Sequence, residues 1–157
     1  MAEKAGVHFT TISNDCLQGL KIAIEFQMPP QVKEKKSKVK QFMHAKDNAV
    51  SALGKIIKFQ SATVDVASLI PNWLSLLPLK ADLDEAKHMN EFLTTLLEQN
   101  PLFVLGQNYE RFEQIVLLLS EIYDKKYLND ETAQRLTVLI QNMAKDGNFG
   151  HQFQVIY

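Results

Sequence analysis

Apolar residues recur along the chain at three- and four-residue steps in about six blocks, and strand-like alternation is scarce. This pattern predicts an all-α fold of about six helices joined by short turns. Residues 10–27 place Ile12, Cys16, Leu20 and Ile24 on one stripe, closed by Met28-Pro29-Pro30 because proline lacks the amide donor and restricts the residue before it. A second helix over residues 39–59 turns Phe42, Ala49, Leu53 and Ile56 inward. The third, residues 66–77, buries Leu69, Ile70, Trp73, Leu74 and Leu77, with Pro71 in its first turn or kinking it and Pro78 as its stop. Asp82 opens a fourth as an N-cap, and Glu85 three residues on completes a capping-box pattern. That helix runs through Ala86, Met89, Leu93 and Leu97 to Asn100-Pro101. Residues 102–105 read as an apolar connector, Gly106 as a turn, and Asn108 as the cap of a fifth helix carrying Phe112, Ile115, Val116 and Leu119. A sixth starts at Asn129-Asp130 and uses Ala133, Leu136, Leu139, Ile140 and Met143 before Gly147.

Short connections pair these helices as hairpins, roughly residues 8–59, 64–99 and 108–146, with a tail at 147–157. Equivalent points, such as Leu69 and Phe112 or Asp84 and Glu131, recur roughly every 40 to 50 residues, the period of HEAT or armadillo units. Periodicity alone leaves two architectures open: an α-α superhelix of about three hairpins and a single six-helix bundle.

Composition narrows the function classes. With 46% hydrophobic and 22% charged residues and few glycines and prolines, the chain has the profile of an ordered helical protein. A formal charge of −1 supplies no general attraction to nucleic acid or anionic membrane. The lone cysteine, Cys16, forms no internal disulfide and falls on an apolar stripe, which predicts a buried thiol in a reducing, intracellular setting. Apolar runs such as residues 115–119 are too short to span a bilayer. There is no Gly-rich phosphate loop and no nucleophile elbow, so no enzymatic activity and no cofactor are expected.

Three stretches are more particular in wording than an amphipathic helix requires: residues 47–59 (DNAVSALGKIIKF), 69–79 (LIPNWLSLLPL) and 97–108 (LEQNPLFVLGQN). In order and spacing they resemble the extreme C-terminal HEAT repeats of the karyopherin-β nuclear import receptors (importin-β superfamily), closest to the importin five, or Ran-binding importin, branch. Arg135-Leu136 continues the likeness, which covers most of residues 47–143. Leu76 stands where that branch commonly has a second tryptophan, Gln107 where proline often follows the glycine, and residues 148–157 do not look like its usual last helix. Met1 to Gly6 look like the interior end of a preceding helix, so the chain is expected to be a C-terminal fragment. The resemblance implies a superhelix that holds protein cargo on its concave face of trailing helices and meets phenylalanine-glycine nucleoporins on its outer face. It also implies cargo release under Ran-GTP bound at N-terminal repeats that this chain lacks, and shuttling between cytoplasm and nucleus. A truncated paralogue acting only as a small helical scaffold is the alternative.

Within that frame two polar clusters are the candidate partner-binding residues. Asp47, Asn48, Ser51 and Lys55 share the polar side of the second helix, and Asp84, Lys87, His88 and Glu91 that of the fourth. The Trp73, Leu74, Leu77 stripe reads as hairpin packing. Lys33, Lys35, Lys36, Lys38 and Lys40, relieved only by Glu34, read as a solvated inter-helix loop; no stacking aromatics are interleaved with them, so direct nucleic-acid binding is not expected. His44, His88 and His151 read as surface histidines, since no third ligand joins Asp84 and His88 at a motif spacing, and no metal is expected.

Overall fold

The apolar blocks form helices in the computed structural model, which describes residues 6–145, and the fold is all-α with no strand among the described residues. Met1 to Ala5, Gly147, His151 and the tail lie outside the described residues. A 3-10 segment, Gly6–Thr11, leads into α1 (Ser13–Glu25), α2 (Pro30–Lys33), α3 (Lys36–Phe59) and α4 (Val66–Ser75). They are followed by α5 (Leu83–Gln99), α6 (Pro101–Leu105), α7 (Phe112–Ile122) and α8 (Asp130–Lys145).

Local chemistry explains where these elements begin and end. The side chains of Asp65, Asp82 and Asn129 accept from the amides of Ser68, Glu85 and Thr132 at 3.3, 3.2 and 2.7 Å, capping α4, α5 and α8. Pro71 sits in the interior of α4 rather than its first turn. Its ring is exposed, as is Ala67, whose carbonyl loses its helical donor there.

Four expectations are corrected. First, α1 starts at Ser13, and the 3-10 segment before it buries Phe9 (2% exposed) while leaving Ile12 41% exposed. Three residues per turn put a different residue inward than an α-helix begun at Thr10 would. Cys16 on α1 is accordingly only half-buried. Second, most of the lysine run is helical: Lys33 ends α2, and Lys36, Lys38 and Lys40 belong to α3. Lysine is a good helix former, and all five side chains stay in solvent, four of them on helix surfaces. Third, the connector at 102–105 is the short helix α6, with Pro101 in its first turn and Val104 and Leu105 buried. Fourth, Asn108 does not cap α7. Arg111 occupies that position and turns its guanidinium back onto the carbonyls of Val104 (2.8 Å) and Phe103 (3.1 Å), satisfying the end of α6. Gly106 makes the expected turn, at φ 87°.

The closest backbone approaches set α1 against α3, α3 against α5 and α5 against α8; α4 lies on α3 and α6, and α6 on α5 and α7. The helices α3, α5 and α8 therefore form a row, α3 beside α5 and α5 beside α8. Side chains link α4 to α5 and α7 to α8: the Trp73 and Phe92 rings meet at 5.3 Å, and Tyr123 Oη lies 2.6 Å from Thr137 Oγ1.

Trp73 is wholly buried at the centre of the core. It fits there because α3 presents Gly54: a Cβ at that position would stand 2.8 Å from Trp73 Nε1 and 2.4 Å from Met89 Sδ. The notch thus lets α3, α4 and α5 share one packing site. Trp73→Ala empties it and is expected to destabilise the fold by roughly 3–5 kcal/mol, read from the shift in a urea or guanidinium unfolding curve with tryptophan-independent detection by circular dichroism.

Candidate partner-binding face

The candidate residues on α3 divide by helical phase. Asp47, Ser51 and Lys55 fall at four-residue steps and form one stripe, and the contact between α3 and α5 draws that stripe against the start of α5. Asp47 is buried, and its Oδ2 accepts from three successive amides, those of Lys80 (3.0 Å), Ala81 (2.7 Å) and Asp82 (2.9 Å). Three N–H donors on one carboxylate oxygen bind the loop that enters α5. His44, one turn earlier on α3, places Nδ1 3.6 Å from Asp82 Oδ2 on the same loop.

The capping box expected at Asp82 is thereby rearranged. Asp82 caps the Glu85 amide, but its own amide is taken by Asp47 of another helix, so Glu85 has no need to reach back. Glu85 instead turns to α3, where Ser51 Oγ donates to Oε2 and Lys55 Nζ lies 2.8 and 2.7 Å from Oε1 and Oε2. Burial pushes the Glu85 carboxyl up, but the hydrogen bonds from Lys55 and Ser51, together with the charges of Lys55 and His88, outweigh it and hold its pKa below the ordinary 4.5.

Of the eight candidate residues, then, Asp47 and Ser51 are corrected from an open polar face to a buried interhelical seam, and Lys55 is engaged in the same seam. Asn48, Asp84 and His88 are exposed, while Lys87 and Glu91 are half-buried. The residue that sequence reasoning missed is Glu85, the hub of the seam. Its signal was present: a polar stripe at positions 47, 51 and 55, on a helix whose other inward residues are apolar, requires polar partners when it is buried.

Farther along the row, Arg135 of α8 reaches Glu98 of α5 through both Nε (3.1 Å) and Nη2 (2.5 Å) and adds Thr95 Oγ1 at 2.8 Å. Asn90 Nδ2 donates to the Tyr127 carbonyl at 3.0 Å, tying α5 to the loop before α8. Each adjacent pair in the row α3, α5, α8 is thus joined by charge-assisted hydrogen bonds. Among the described residues no group of three or more His, Cys, Asp or Glu side chains is arranged to hold a metal ion, and no helix is long and apolar enough to cross a membrane. No protein-family model matches the chain.

Asp47→Ala strips three amides of their acceptor and is expected to cost about 1–3 kcal/mol, against less than about 0.5 kcal/mol for the exposed neighbour Asn48→Ala; urea unfolding of the two variants side by side checks the difference. Because the folded-state pKa of Glu85 is depressed, its contribution to stability is complete above its unfolded value and is lost as pH falls through the folded one. The stability advantage of the native chain over Glu85→Gln should therefore be full at neutral pH and shrink progressively below pH 4.5. An advantage that stays constant through that acid range would contradict the assignment.

Proposed function

We propose that this chain is a HEAT-type repeat segment of a karyopherin-β nuclear transport receptor, working by binding protein partners rather than by chemistry. One observation carries the reading. The three stretches that bear the resemblance are in contact: residues 47–59 lie in α3, residues 69–79 run through α4 to the buried Leu79, and residues 97–108 close α5 and form α6. In space, α3 lies on α4, α4 on α6 and α6 on α5. Their family-like wording therefore belongs to one packed joint, where side chains specify how successive units stack. Side-by-side trailing helices are also what a superhelix of hairpins requires, because each repeat buries its apolar side chiefly on its neighbours.

In this reading the segment stacks at the C-terminal end of the receptor, and the row α3, α5, α8 contributes to the cargo-facing side. Asn48, Asp84 and His88 remain available on it, while Asp47, Ser51 and Lys55 hold the row together. Ran control comes from N-terminal repeats of the receptor, and nucleoporin contact from the opposite, leading-helix side.

The test uses the protein tagged at its own gene. It is expected to concentrate at the nuclear rim, exchange between nucleus and cytoplasm, and co-purify with proteins that are released when GTP-locked Ran is added. A uniform distribution with Ran-insensitive partners would overturn the proposal and leave a helical scaffold.

A further inference from the structure

The protein interior makes no use of the lysine run at the start of α3. Lys33, Lys35, Lys36, Lys38 and Lys40 are exposed, and neither they nor the half-buried Lys46 form an ion pair among the described residues. Opposed only by Glu34, residues 33–40 carry a net charge of +4 on a chain whose net charge is −1. The first turn of α3 contains no acidic residue, and Lys35 supplies no side-chain cap. The repulsion among these charges is left without compensation inside the chain.

The same helix runs into an apolar recess of about 310 Å³. Its walls include Phe26 and Met28 beyond the end of α1, Phe42 and Met43 of α3, and Leu76 and Pro78 after α4. Phe26 is 55% exposed and Met43 39%, large apolar surfaces that the fold leaves uncovered beside the deeply buried Val50. The Phe26 and Phe42 rings stand 6.2 Å apart and tilted, which makes one wall of the recess aromatic. Lys46 and Lys80 also line it, as does Asp47, whose Oδ2 is taken up by the amides of Lys80, Ala81 and Asp82; Lys80 is engaged with Glu121 at 2.5 Å. Lys36, Lys40 and Met43 follow one another at four- and three-residue steps, so two further ammonium groups lie on the stripe of α3 that leads to the recess.

We propose that this recess is a docking site for an acidic peptide segment with one bulky apolar anchor. The anchor fills the space between Phe26, Met28 and Met43, and carboxylates flanking it lie along Lys46, Lys40 and Lys36. Charge complementarity selects the class of partner, and the recess selects the anchor: a pocket at the small end of the range for binding sites suits a single side chain. Its methionine, leucine and proline walls fit an aliphatic or aromatic side chain better than a run of stacked bases. This site is independent of the transport reading and stands or falls separately.

The test measures fluorescence anisotropy of a labelled peptide in which one tryptophan is flanked by aspartates and glutamates, against the same peptide with alanine in place of tryptophan and against oligouridylate. The tryptophan peptide is expected to bind, to weaken with added salt, and to lose about tenfold or more in affinity to Lys36→Glu/Lys40→Glu and to Phe26→Ala. All of these substitutions fall on exposed side chains, and an unchanged thermal melt by circular dichroism confirms that each variant is folded. Equal binding of the two peptides, or binding of neither, overturns the proposal. So does tighter binding of oligouridylate that is lost in the lysine variant and kept in Phe26→Ala, which marks a polyanion surface instead.

Discussion

One carboxylate oxygen, Asp47 Oδ2, holds three consecutive amides at the entry to α5, and the polar ties between α3 and α5 are built around it. Those amides belong to a loop and a helix start that have no intrahelical acceptors, and their partner comes from another helix. Its arrival from α3 sets the position of one helix relative to the next, a job that apolar contact alone does loosely because it has no direction. Once the Asp82 amide is occupied, Glu85 is free to turn toward Ser51 and Lys55, and a second polar tie forms beside the first. The row extends to α8 through Arg135 and Glu98 by the same kind of bond.

Apolar packing supplies the complementary half. Gly54 opens a notch on α3 that Trp73 of α4 and Met89 of α5 enter together, so three helices share one filled volume. A glycine inside a helix costs about 1 kcal/mol relative to alanine, and the indole that it admits explains its presence there. The polar seam and the tryptophan notch lie on the same helix, and together they fix both the spacing and the rotation of α3 against its neighbours. Outside these two features Asn48, Asp84 and His88 stay exposed, and a lysine-flanked recess opens along the first half of α3, with Asp47 in its lining.

Much of the helical architecture was legible from residue spacing. The apolar stripes of α3, α5, α7 and α8 appear where a 3.6-residue period puts them, the start of α8 falls at Asn129-Asp130, and the cap at Asp82 was readable because N-capping is a local interaction between residues three apart. Local rules failed where two weak preferences competed. Residues 102–105 were too few to show a period yet form a helical turn, and Asn108 gave way to Arg111 because a guanidinium satisfies two carbonyls of α6 that a cap at Asn108 would have left open.

For the candidate site the division is sharper. Sequence alone determined that Asp47, Ser51 and Lys55 share a stripe and that Asp82 and Glu85 open a helix, because both are matters of spacing within one segment. It also determined that lysines cluster over residues 33–40, since charge is additive along the chain. Only the tertiary structure decided that the polar stripe faces another helix rather than solvent, that Glu85 serves that stripe instead of its own cap, and that the lysines stand beside an apolar recess. Each of those outcomes depends on which surfaces meet across more than thirty residues of chain, and that choice belongs to the packing of the whole core around Trp73 rather than to any segment by itself.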